Sequence, residues 1–351
     1  MVQKKDRTQR IHQTQIISSL ENIYISPLET CNLSCRYCYT TKTPQSLSNQ
    51  QILNFINRYS KFIHKSYFLN LKSIIFCGGE VFLRPDFPKL VNKLIDLDIF
   101  ITIITNGTIN HLKDIKNPHN CQILVSLDGP KTIHDQNRGQ GNFDKSIKYI
   151  KQAQKLGFPI GIMFLITKDS YPYRNSFPKS LTKALKLYNS KALNFTYLTD
   201  RHLSLTPNQC LDIKLHYPTF PAKNFGCFQL SLQSTGIITG CCESYLPLGK
   251  ISDHPSIYIN NFLNSLNTCN SCSLRSTIYD LQSNCHGCCY PDYLCGYPRE
   301  FNQPNCHHLI KLFNSTNPPS LATAKNTSLN LNKEAKLKIK NPPVKGETLR
   351  M

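Results

Sequence analysis

Thr30-Cys31-Asn32-Leu33-Ser34-Cys35-Arg36-Tyr37-Cys38-Tyr39 sets three cysteines three and then two residues apart. Thiols at these spacings fold around one metal cluster within a single loop. Around four irons, three thiolates leave one iron without a protein ligand, and an open metal position is where a small molecule binds in catalytic sites. The plainer readings are three unrelated thiols or part of a zinc knuckle. What stands on either side of the loop decides.

Upstream, residues 22–28 read as a strand leading into the loop. Downstream, Ser48-Asn49-Gln50-Gln51 is a capping box, and Ile52, Leu53, Phe55, Ile56, Tyr59, Phe62 and Ile63 recur at helical period. Residues 72–77 form a second strand. Leu90, Val91, Leu94 and Leu97 mark a helix after Pro85, read as its first-turn proline. Strands are expected at 100–105, 122–127, 160–167 and 193–198, with a helix through Phe143, Ile147, Ile150 and Leu156 closed by Gly157. Six strands interleaved with helices predict parallel β/α units. A doubly wound sheet fits that periodicity equally well, but the polar motifs all follow strands, at the ends where barrel enzymes place their active sites.

Those motifs come in order. Cys77-Gly78-Gly79-Glu80 follows the second strand; its glycines let the backbone approach a ligand, and the acid accepts hydrogen bonds from an ammonium group. Thr105-Asn106-Gly107 ends the third strand and reads equally as a plain turn. Ser126-Leu127-Asp128-Gly129 ends the fourth, followed by His134, Asp135 and Arg138. Small polar groups there suit ribose hydroxyls, and Arg138 suits a carboxylate. For Asp128 and His134, bracing the loop is the commoner role.

After residue 200 the chain turns to short runs, Pro, Gly and Cys, with eleven of its sixteen cysteines. Cys227, Gly236 and Cys241 are followed by Cys269-x2-Cys272, Cys285-His-Gly-Cys288-Cys289 and Cys306. This half is short of apolar periodicity for a core of its own, and metal clusters would supply cross-links. On local spacing, Cys269, Cys272, Cys285 and Cys288 suit a zinc ribbon equally well.

Taken as a set over residues 22–308, these motifs resemble the radical S-adenosylmethionine (radical SAM) enzymes with a C-terminal SPASM extension. The resemblance implies an α/β fold: a partial (β/α)6 TIM-like barrel with a small Cys-rich iron–sulfur domain. It divides the chain into an N-terminal extension (1–21), the barrel (22–205), a SPASM-like domain (206–313) and a disordered basic tail (314–351). It implies a [4Fe–4S] cluster on Cys31, Cys35 and Cys38, whose open iron chelates SAM and releases a 5′-deoxyadenosyl radical. Tyr37, Gly78, Gly79, Glu80, Ser126 and Arg138 would contact the cofactor, Glu80 at its amino group and Arg138 at its carboxylate. Two auxiliary [4Fe–4S] clusters would lie on Cys269, Cys272, Cys285 and Cys306 (outer) and on Cys227, Cys241 and Cys289 (inner).

Departures from the family pattern bear on that assignment. Twelve residues separate Cys272 from Cys285 where the family has five, and the Cys227–Gly236 gap is one residue short. The inner cluster either keeps an open iron or recruits Cys242, Cys210, Cys288 or Cys295. Cys242 stands where sulfatase-maturating members carry a basic Asp, which counts against sulfatase maturation.

Composition bounds the remainder. The N-terminus has no apolar core for a signal peptide, and no run reaches the eighteen or so apolar residues of a membrane span. A cytoplasmic protein is expected, with its cysteines on metals. Of the net charge of +20, residues 313–351 supply +5, and the remainder is dispersed. With no Trp in the chain, nucleic acid is not the expected partner; an acidic peptide or an electron carrier such as flavodoxin or ferredoxin fits as well. The expected activity is modification of a peptide or protein. Its rivals are a radical SAM reaction on a small molecule or cofactor precursor, and a zinc-stabilised RNA-binding protein. About twenty residues precede the first strand, so leader recognition is expected from a separate protein or the barrel itself.

Overall fold

The computed structural model describes residues 19–187 apart from 39 and 41, together with 193–197, 203, 205, 206, 209, 212, 230–240 and 247–267. The chain divides into two units, 1–302 and 303–351, and every described residue lies in the first. All eleven cysteines beyond residue 200, and the basic tail, lie outside the described residues.

Six parallel strands run in strict chain order: β1 (Asn22–Ile25), β2 (Ser73–Phe76), β3 (Phe100–Thr105), β4 (Cys121–Leu127), β5 (Ile160–Ile166) and β6 (Leu193–Tyr197). A doubly wound sheet would reverse direction at a switch point. Here each crossover steps the same way, which is the winding of a partial β/α barrel. Alternation along the strands supplies the core. Ile25, Phe76, Ile103, Ile123 and Ile160 are side by side across β1–β5, each at most 9% exposed.

The helices between the strands are α1 (Asn49–Tyr67), α2 (Phe87–Ile95), α3 (Lys131–Arg138), α4 (Asn142–Lys155) and α5 (Ser176–Leu185). The capping box opens α1 as expected: Ser48 Oγ accepts from Gln51 N at 3.2 Å, and Gln51 Oε1 accepts from Ser48 N at 2.8 Å. In α2 the first-turn proline is Pro88, not Pro85, which precedes the Asp86 N-cap. Leu97 lies past the end of that helix and is 62% exposed. The fully buried side of α4 is Ser146, Tyr149, Ile150 and Ala153; Phe143, Ile147 and Leu156 only flank it.

Residues expected to begin a separate domain extend this same sheet. β7 (Ser231–Leu232) pairs parallel with β1, and β8 (Ile237–Thr239) and β9 (Pro247–Lys250) follow antiparallel. The last helix, α6 (Pro255–Asn267), contributes Tyr258, Ile259 and Phe262 to the core with no exposed surface. Tyr258 packs 6.1 Å and 6.5 Å from the rings of Phe55 and Tyr59 on α1. The expected shortage of core residues after position 200 is therefore corrected for 230–263. No described helix is long and apolar enough to cross a membrane.

Candidate active site

Past the carboxyl ends of β1 and β2 the two backbones track each other. Cys77 N donates to Ile25 O at 3.1 Å, Gly79 N to Leu28 O at 3.0 Å and Glu80 N to Thr30 O at 3.0 Å. So close a track excludes side chains. A Cβ on Gly79 would stand 2.0 Å from Thr30 O, and one on Gly78, at φ +114°, would stand 2.3 Å from Ser26 Oγ. The two glycines thus hold the strand end against the root of the cysteine loop.

Glu80 has no exposed surface. Its carboxylate accepts from Thr105 Oγ1 at 2.8 Å, Asn106 N at 2.8 Å and Phe82 N at 3.3 Å. Burial lifts its pKa to about 7, against the pull of those hydrogen bonds and of Arg138. Asn106 carries the connection onward: Nδ2 donates to Asn32 Oδ1 at 3.0 Å and to Cys31 Sγ at 3.8 Å. Thr105-Asn106-Gly107 is therefore more than a turn; it ties β3 to the cysteine loop. That link was invisible in the sequence, where an Asn before Gly signals only a turn.

On the other flank Asp128, fully buried, accepts from Tyr37 OH at 2.5 Å and from Arg138 Nε at 2.8 Å. The Arg138 guanidinium lies 5.6 Å from the centre of the Tyr37 ring. Asn137 O accepts from Arg36 N at 3.0 Å, so α3 also grips the loop through its backbone. His134, with Nδ1 accepting from Asp128 N at 3.4 Å, is held neutral by burial, which lowers its pKa to about 4. Asp128 and His134 brace the loop, the plainer of their expected roles. Lys42 adds a staple the sequence did not signal, donating to Leu33 O at 2.7 Å and Ser34 Oγ at 3.0 Å.

The three cysteines are free, half-buried thiols. Cys38 lies close enough to both others to oppose their ionisation. Burial raises the pKa of Cys31, opposed by the Leu33 N–H that reaches its sulfur at 3.4 Å. Burial likewise pushes Cys35 up to about 11, against the pull of Arg138. A metal that takes the place of the proton would offset this cost of burial at Cys31 and Cys35.

Among the described residues, no three His, Cys, Asp or Glu side chains gather around a single ion position. A zinc knuckle draws its thiolates onto one point, whereas a cluster takes one thiolate per iron and spaces them apart. Three free thiols in one loop, two N–H donors aimed at Cys31 Sγ and a glycine track alongside fit an iron–sulfur cluster. Gly78, Gly79, Glu80, Tyr37 and Arg138 are all brought to this loop, while Ser126 lies in β4, two residues before Asp128. Cys227, Cys241, Cys269, Cys272, Cys285, Cys289 and Cys306 lie outside the described residues.

The AdoMet-dependent heme synthase of Oleidesulfovibrio alaskensis is 28% identical over 153 residues, 41% of this chain and 38% of that protein. The sporulation killing factor maturation protein SkfB of Bacillus subtilis is 26% identical over 147 residues, 40% of this chain and 34% of that protein. The chain thus spans little more than a third of the length of these curated relatives. Streptococcus suis SuiB shares the fold. Bound to S-adenosylmethionine it has a TM-score of 0.58 at 14% identity, over 78% of this chain and 76% of that one. Bound to precursor peptide SuiA it has a TM-score of 0.56 at 15% identity, over 86% of this chain and 80% of that one. Residues 25–173, which include the cysteine loop and its glycine track, match the Radical SAM superfamily.

Proposed function

We propose that this protein is a radical SAM enzyme that modifies a peptide or protein. The observation that carries the reading is the loop of three free thiols after β1, held by β2, β3 and α3. Cys31, Cys35 and Cys38 would hold a [4Fe–4S] cluster, which when bound would supply the electron that breaks a C–S bond of SAM, giving methionine and a 5′-deoxyadenosyl radical. Arg138 keeps Nε on Asp128, and its remaining N–H groups take the SAM carboxylate. The Gly78–Gly79–Glu80 edge would hold the SAM amino group. Glu80 serves that edge by position, since its buried carboxylate already accepts three hydrogen bonds. Ser126 would hold the ribose hydroxyls, and Tyr37, fixed by Asp128, would close the side of the site.

Two observations support a peptide substrate: the SPASM-like order of cysteines from Cys227 to Cys306, and likeness to SkfB, a maturation protein, and to SuiB, solved with a precursor peptide. In this reading Cys269, Cys272, Cys285 and Cys306 hold an outer auxiliary cluster and Cys227, Cys241 and Cys289 an inner one. A flavodoxin or ferredoxin delivers the electron. The heme synthase relative favours a second reading, a small-molecule or cofactor precursor. A zinc-stabilised RNA-binding protein does not account for the radical SAM domain.

Isotope transfer tests the choice. Protein purified anaerobically is given SAM, reductant and, in parallel, a deuterated candidate peptide or a deuterated small-molecule precursor. The expected result is 5′-deoxyadenosine carrying deuterium from the peptide. Deuterium arriving only from a small-molecule precursor would refute the peptide reading, and a colourless zinc protein that leaves SAM intact would refute both.

A further inference from the structure

We propose that Asn106 is a positioning residue for Cys31: its side-chain amide donates a hydrogen bond to the Cys31 sulfur and raises the reduction potential of the cluster that sulfur binds. The inference rests on the cluster reading above and adds to it a residue outside the thiol loop.

Amide orientation is the first question, because oxygen and nitrogen look alike. Here the neighbours fix it. Asn106 Oδ1 accepts from Thr108 N at 2.9 Å and from Thr108 Oγ1 at 2.7 Å. A backbone N–H can only donate, so the atom facing Thr108 is the oxygen. Nδ2 therefore faces the cysteine loop, with one hydrogen directed to Asn32 Oδ1 and the other to Cys31 Sγ.

The residue is pinned through its backbone as well. Asn106 N donates to Glu80 Oε2 at 2.8 Å, and Asn106 O accepts from Ser146 Oγ at 2.7 Å. At 7% exposure, every polar group of Asn106 has a partner. A residue kept only to cap a turn needs its Oδ1 alone. The amide aimed at sulfur is additional, and water has little access to replace it.

Ligand sulfur gains negative charge when a cluster takes up an electron. A donor aimed at that sulfur stabilises the reduced form more than the oxidised one, so the potential rises. Leu33 N–H already supplies one donor to Cys31, and Asn106 adds a second, contributed by β3.

The test is a redox titration of the whole chain, purified anaerobically and followed by electron paramagnetic resonance. The SAM-binding cluster is recognised as the signal that changes when SAM is added. Asn106→Ala removes the donor without adding charge. We expect its reduced fraction at fixed potential to fall about tenfold, which for a one-electron couple is 59 mV, with iron content unchanged. Thr108→Val loses one of the two groups holding Oδ1 and shifts the potential the same way by less. An Asn106→Ala protein with wild-type iron and wild-type potential overturns the inference. Should Asn106→Ala lose its iron, Thr108→Val decides: an unchanged potential there overturns it. A wild-type protein without a SAM-sensitive cluster refutes the cluster reading itself, and the inference falls with it.

Discussion

Gly79→Ala is the most informative single change, because its cost follows from atoms that cannot turn aside. The added Cβ would stand 2.0 Å from Thr30 O and 2.5 Å from Glu29 O, both backbone. Restoring an ordinary 3.4 Å contact moves one strand end away from the other by about 1.4 Å. That movement breaks the hydrogen bonds from Gly79 N to Leu28 O and from Glu80 N to Thr30 O. Two net hydrogen bonds at about 1 kcal/mol each and an overpacking cost of about 1–3 kcal/mol give a loss of roughly 3–5 kcal/mol. For a domain of this size the melting temperature should fall by roughly 6–20 °C. Thr30 adjoins Cys31, so iron retention should fall too. Gly141→Ala is the control. Nothing lies within 4 Å of its Cβ, and its φ of +77° costs about 1–2 kcal/mol of left-handed backbone. Circular dichroism melts and iron per chain, both measured anaerobically, read the two variants side by side. A Gly79→Ala protein that melts no lower than Gly141→Ala and keeps the same iron would refute the steric argument.

Replacing Cys31, Cys35 and Cys38 together by Ala should remove about four irons per chain and abolish 5′-deoxyadenosine formation; retained SAM cleavage excludes this loop as the site. Asp128→Ala leaves the Arg138 charge buried without its partner and should cost about 3–5 kcal/mol in urea unfolding, part of which a second change, Arg138→Gln, restores. Equal midpoints for Asp128→Ala and wild type would show that the pair carries no strain of burial. Glu80 binds its proton more tightly folded, at about 7, than unfolded. Its contribution to stability therefore falls as pH rises from about 4.5 to about 7, by roughly 3 kcal/mol, and is flat above. Glu80→Gln should lose that slope, and a variant whose urea midpoints track wild type across this range removes Glu80 as its source.

Legibility in the sequence followed chemistry the chain repeats or punctuates. Phe100–Thr105 was readable to the residue, because its β-branched run is long enough to stand out and closes on Asn-Gly. The box at Ser48 was readable because it needs only two side chains. α3 was not, for a physical reason: its one apolar side chain is Ile133, and the residues it buries are His134, Asp135 and Asn137, so no apolar period exists to find. Its order comes from polar contacts, among them Asp135 accepting from Gly141 N at 3.0 Å and Phe143 N at 2.8 Å. β7 and β8, at two and three residues, are too short for alternation to register. At the site the thiols and glycines declared themselves by spacing. Asn106 and Lys42 did not, since what they do depends on which segments the fold brings beside them.

The pairing of β7 with β1 also constrains how the protein is made. Tyr24 lies opposite Ser231, about 200 residues later in the chain. At a ribosomal rate of roughly 5–20 residues per second, some 10–40 seconds pass between the synthesis of the two strands. Throughout that interval β1 lacks one of its two neighbours, and the loop carrying Cys31, Cys35 and Cys38 hangs from an open edge. Long-range pairing of this kind is slow to form and leaves edges open to wrong partners meanwhile. Nascent chains halted before Leu232 therefore carry these three thiols on an unfinished sheet.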